Sequence, residues 1–176
     1  MGQITRTNYG IHSRTVISNA QLLAAPPVSV ELVAAIPGKI IIPSLAILYL
    51  DWTADYSAID AAASIQIQTG VGGYPFLASV NESADGDVTG LLANGEDGLA
   101  FMYGSDQTQV PAMPATPGNS SLALFSSVAA VVGVALYFAI VNGGAVLEGG
   151  DPANQMTVDV FYNVIEAFPP PPVIVV

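Results

Sequence analysis

The sequence predicts an all-β chain, a single antiparallel β-sandwich of the jelly-roll kind with extended N- and C-terminal arms. Three observations predict it. Apolar and polar residues alternate over short runs, most clearly in ASIQIQTG, residues 63–70, where Ile65 and Ile67 oppose Gln66 and Gln68. Glycine and proline, 17 and 13 of them among 176 residues, break the chain into roughly eight short strands. Helical signals amount to one or two single turns. Eight strands punctuated in this way suit a sandwich, and a jelly roll is a common way to fold them.

Taken in order, residues 1–11 are polar with Gly2 and Gly10, and read as an N-terminal arm. The β-domain is expected over 12–167. HSRTVIS, 12–18, is a short strand, and Ser18-Asn19 before AQLLAA caps a helical turn that Pro26-Pro27 ends. VSVELVAA, 28–35, alternates, with Val28, Val30 and Leu32 on one face, and Pro37-Gly38 marks a turn. KIIIPSLAILYLDW, 39–52, is a long apolar run whose Pro43 argues for a strand with a bend or bulge instead of a helix. VGGYPFLASV supplies turn glycines before a short apolar stretch. NESADGDVTGLLANGEDG, 81–98, holds five carboxylates and no base, so it is expected in solvent. LAFMYG, 99–104, is another strand, and the proline-spaced QTQVPAMPATPGNSS is an extended loop. In the last strand Val158, Val160, Tyr162 and Val164 share one face, while Thr157, Asp159, Phe161 and Asn163 share the other. FPPPPVIVV, 168–176, is a polyproline-II arm with an apolar tip.

One stretch competes with this reading. Residues 122–141 are apolar-dominated, and no charge occurs between Gln107 and Leu147, so the run is long enough to cross a bilayer. No Lys or Arg flanks it to set orientation. Val128, Val131, Val132, Val134, Ile140 and Val141 favour strands, and Gly133 sits where a turn or bulge needs it. Two strands, LALFSSVAAVV and VALYFAIV, are therefore expected, both in the core.

Composition narrows the function. Only 10% of residues are charged against 52% hydrophobic, which leaves an isolated domain little to cover its outside and points to assembly with other subunits. Three bases, Arg6, Arg14 and Lys39, stand against 14 acids for a net charge of −11. Nucleic acid and anionic membrane surfaces are thereby excluded as expected partners. No cysteine is present, and the N-terminus has no apolar segment resembling a secretory signal.

Catalytic signals are poor. His12 reads as a surface histidine near a frayed end, and no GxSxG elbow occurs. Asp51 with Asp55, or Glu96 with Asp97, offers paired carboxylates for glycoside hydrolysis, but 14 acids produce such pairs by chance. Asp85-Gly-Asp87 and the 94–98 stretch offer oxygen ligands for calcium without EF-hand spacing, and are expected to be solvated loops. Trp52, Tyr49, Tyr103, Tyr137 and Tyr162 lie in strand patterns and are expected to pack in the core. No catalytic residue, cofactor site or metal site is expected.

Two segments carry a resemblance. GGDPANQMTVDVFYNVIE, 149–166, is similar to the closing strand of small tailed-phage structural proteins, with a Gly-Gly turn, an Asn and an alternating V-x-V-x-Y-x-V strand. ISNAQLLAAPPVSVELVAA followed by PGKIIIPSLAILYLDW resembles their short helix, strand, Pro-Gly turn and long strand. The chain thus resembles head decoration (cement) and related jelly-roll virion proteins over about half its length. The resemblance implies a trimeric, non-enzymatic subunit on the outer capsid surface, made in the host cytoplasm and bound to the major capsid protein. The alternative it leaves open is a tail-fibre or spike head that binds host-surface glycans. Residues expected to touch a partner are Arg6 and Arg14, with the arm Phe168, Pro169, Pro170, Pro171, Pro172, Val173, Ile174, Val175 and Val176.

Overall fold

The structure, a computed structural model, describes residues 6–7, 10–25, 29–60, 63–70, 75–80, 91–103, 132–142 and 146–167. In chain order these form β1 (Arg6–Thr7), β2 (Gly10–Ser18), α1 (Asn19–Ala24), β3 (Val30–Val33), β4 (Lys39–Asp51) and β5 (Tyr56–Ser57). They continue with β6 (Ser64–Thr69), β7 (Pro75–Val80), β8 (Gly98–Tyr103), β9 (Leu136–Val141), β10 (Glu148–Gly149) and β11 (Gln155–Glu166). The fold is all-β. One sheet runs β1-β2-β11-β4-β8, a second runs β3-β9-β6-β7, and β10 pairs with β5. Every pairing is antiparallel.

The five-stranded sheet is organised by β11, which lies between β2 and β4 along most of its length. Its alternation holds: Met156, Val158, Val160 and Tyr162 are buried, while Thr157, Asp159 and Phe161 face the other way. The bulge expected at Pro43 is present. Phe161 faces Leu45 but Tyr162 faces Pro43, so Ser44 is the extra residue, and its hydroxyl donates to the Phe161 carbonyl at 3.1 Å. One inserted residue flips the parity of the strand. Accordingly Ile41 and Pro43 point inward before the bulge, and Ala46, Leu48 and Leu50 after it. The Ser18 cap is a full capping box with Gln21, and it delivers Leu22 of α1 into the core.

The second half of the long apolar stretch is a strand. Val132 bridges to Ile40, Gly133 turns the chain at φ +67°, and β9 then runs between β3 and β6. Leu136, Phe138 and Ile140 are buried from it. Residues 122–131 lie outside the described residues. Among those described, no helix is long and apolar enough to cross a membrane. Side chains of both large sheets meet in one apolar cluster, with Ile17, Leu48, Met156 and Val158 from one and Ile65, Ile67, Leu136 and Phe138 from the other.

Three expectations need correction. β6 is buried along its whole length, including Gln66 and Gln68, although its strict alternation is the pattern of a half-buried strand. Hydrogen bonding permits it: Gln66 Nε2 donates to Ser64 Oγ at 2.9 Å and Gln68 Nε2 to Ser29 Oγ at 3.1 Å. The segment 81–98 is not uniformly solvated, because Leu91 and Leu92 are buried in the core and tether the exposed Glu96 and Asp97. Residues 81–90, with Glu82, Asp85 and Asp87, lie outside the described residues. Finally, β2 takes in Gly10 and Ile11 of the expected N-terminal arm, and Arg6–Thr7 pair back onto them.

Candidate interaction surface

Alternate side chains of β4 and β11 turn into the core, so their remaining ones, with those paired to them on β2 and β8, form an outer face. Strand register arranges them in rows. Val16, Thr157, Tyr49 and Leu99 make one row; Arg14, Asp159, Ile47 and Phe101 make the next; His12, Phe161 and Leu45 begin a third. The face is apolar for a surface. Leu99 is 60% exposed, Phe101 55%, Val16 54% and Tyr49 41%, with Ile42 and Ile165 also in solvent. Holding four large side chains about half open on one face forgoes roughly half of the about 1.5–3 kcal/mol that full burial of each would give. A face of this composition is the candidate interaction surface.

An ion triad sits among these side chains. The Arg14 guanidinium grips Asp159 with both fork positions, Nε to Oδ1 and a terminal nitrogen to Oδ2, each at 2.8 Å. His12 Nε2 lies 2.6 Å from the same Oδ1, and its ring stacks on Phe161 with centroids 4.8 Å apart. His12 is therefore not a surface histidine at a frayed end: its side chain is only 21% exposed and is held between two groups of β11. Partial burial alone pushes the Asp159 carboxyl up, but the hydrogen bonds from Arg14 and His12 outweigh it and hold the group below its ordinary value. A depressed carboxylate adds stability that is present above its unfolded value, about 3.9, and is lost as the pH falls through the lower folded one. Asp159→Asn is expected to cost about 1–2 kcal/mol at neutral pH. The difference from wild type should shrink as the pH drops below about 4. Urea midpoints at pH 7 and pH 3 check this, and an undiminished difference at pH 3 contradicts it.

At one end of the face, two carboxylates lock the loops. Asp97 accepts from the Tyr49 hydroxyl and from the Trp52 backbone N–H, both at 2.9 Å. Asp55 accepts from Trp52 Nε1 at 2.8 Å and from the Gly95 N–H at 2.9 Å. The Trp52 N–H, followed by the Tyr49 hydroxyl, draws the Asp97 carboxyl below its usual range, and the same contact raises the Tyr49 phenol. These acids act as turn locks. Among the described residues, no three His, Asp or Glu side chains converge to hold a metal ion.

Tyr49 and Trp52 depart from the core positions expected of them, being exposed and half-buried. Tyr162 is buried as expected; Tyr137 is half-buried and donates to Glu31 at 3.2 Å. The buried aromatic that sequence reading missed is Tyr56, a residue without a strand run around it.

Of the residues expected to touch a partner, Arg14 lies on this face with its guanidinium side chain 63% exposed. The backbone of Arg6 pairs opposite Ile11 in β1. Phe168 to Val176 lie outside the described residues. Lys39 forms an ion pair with Glu166, so β11 supplies the acid for two of the three bases. No protein-family model, curated protein or solved structure matches this chain.

Proposed function

We propose that this chain is a structural subunit of a virion, a jelly-roll decoration (cement) protein that stabilises a tailed-phage head by bridging neighbouring capsomers. The observation that carries the reading is strand order. Lettering β2, β3, β4, β6, β7, β8, β9 and β11 as B to I, the five-stranded sheet reads B-I-D-G beyond β1 and the four-stranded sheet reads C-H-E-F. Two Greek keys wound into a jelly roll produce this order, and the architecture is common among capsid proteins. β1, β5 and β10 are two-residue additions at its margins. In this reading the sandwich runs from Gly10, where β2 begins, to Ala167, and the residues before it and 168–176 are arms reaching across seams of the shell. The low charge content and the open apolar face support a trimer bound to the major capsid protein, with no reaction performed. Electron microscopy of native particles tests it: three-fold density on the outer head is expected, and particles lacking the chain, or carrying it only on the tail, overturn the proposal. Deleting residues 169–176 should leave the subunit folded but loosen its attachment to heads; binding as tight as that of the full chain counts against the arm.

A second reading, a fibre or spike head that binds host glycans, is favoured by one feature. Tyr49 and Trp52 stand beside Asp97 and Asp55 at one end of the sheet, aromatic faces next to polar groups of the kind sugars use. A glycan-array signal abolished by Trp52→Ala would favour this reading over the first.

A further inference from the structure

We infer that the outer face of the five-stranded sheet is where copies of this chain meet, the Arg14 side of one subunit packing against the acidic β4–β8 end of the next. The inference rests on the assembly proposed above and specifies its surface. Charge is the first argument. In a chain of net charge −11, copies repel unless they meet where charge cancels. The middle of this face does that, since Arg14 neutralises Asp159 among Ile47, Phe101 and Val16.

The two ends of the face are unlike. Arg14, on the β2 side, spends one edge of its guanidinium on Asp159 and keeps the rest in solvent. Asp51, Glu96 and Asp97 are exposed where β4 ends and β8 begins. The free edge of the Arg14 guanidinium and the exposed acids complement each other between copies, and unlike patches in contact form a heterologous interface, which gives a ring when the rotation between copies closes.

Area is the second argument. Four strands about 4.8 Å apart, with outward residues spread over eight steps of about 3.3 Å, give a plane of roughly 500 Å², mostly apolar around the Arg14–Asp159–His12 triad. With its polar rim that approaches the roughly 800 Å² per partner of a stable interface.

Light scattering on the full chain tests the proposal with three variants, all at exposed positions: Val16→Asp on the β2 side, Phe101→Asp on the β8 side, and Val146→Asp outside these strands. Wild type and Val146→Asp should share one oligomeric mass. Val16→Asp and Phe101→Asp should each weaken association at least 100-fold, to monomers at micromolar concentration, because each buries an unpaired carboxylate at the contact. Unchanged circular dichroism and urea midpoints in both will show that the fold is intact. A monomeric wild type overturns the assembly itself. An oligomeric wild type whose mass survives both variants overturns this face alone and leaves the assembly standing.

Discussion

Phe138→Ala is expected to destabilise the protein by about 3–5 kcal/mol, the range for removing a large aromatic from a packed interior. Phe138 lies in the middle of β9, between Val30 of β3 and Ile67 of β6, and no part of it reaches solvent. It belongs to the cluster in which both large sheets bury their inner side chains, so its removal opens a cavity between them. Domains of this size hold about 5–15 kcal/mol in total, so the variant approaches the edge of folding. Phe138→Leu, which keeps most of the volume, should cost less than about 2 kcal/mol. Guanidinium midpoints for the pair give the check. Equal and small losses would mean that this segment is not core, and the decision between strand and membrane span would reopen.

That decision shows what could be read from the residues alone. Gly133 and the β-branched run were enough to expect a strand beyond the glycine, because both are local conformational preferences. The Pro43 bulge and the Ser18 cap were legible for the same reason: each is dictated by the chemistry of one or two neighbouring side chains. The alternation of β11 identified its faces correctly. In β6 the same kind of pattern misled, since alternation reports which side chains share a face and not what covers it. The ion triad was illegible. His12 and Asp159 are 147 residues apart, and only the β2–β11 register brings them together. Tyr49 fell on the outer face through the parity flip at Ser44, a consequence of the bulge that residue types alone do not count. The candidate surface was therefore visible as a shortage of charge, while its location waited for the pairing of four strands.

Gly150→Ala should cost about 2–5 kcal/mol, from two additive sources: about 1–2 for a left-handed backbone and about 1–3 for overpacking. The backbone at Gly150 has φ +67°, where a side chain strains the chain whatever space surrounds it. Space is also missing. An added Cβ would stand 2.6 Å from Asn19 Oδ1 and 2.6 Å from the Tyr56 ring. Those neighbours cannot easily yield, for Tyr56 is buried and its hydroxyl donates to the same Asn19 oxygen at 2.7 Å. Nor can the backbone move out freely, because the Gly150 N–H donates to the Asp55 carbonyl at 2.9 Å. Just beyond, the fully buried Asn154 accepts from the Thr53 and Ala54 N–H groups and donates to the Ala54 carbonyl, pinning the same corner from the other side. Gly38→Ala separates the two sources. Gly38 has φ +70° with nothing within 4 Å of an added Cβ, so it should show the backbone cost of about 1–2 kcal/mol and nothing more. Thermal and urea unfolding of the two variants side by side reads the difference, which is the packing of Gly150 against Tyr56 and Asn19. If Gly150→Ala proves no worse than Gly38→Ala, that corner is looser than its contacts indicate, and the close approach of the β10–β11 turn to α1 and β5 contributes little to the fold.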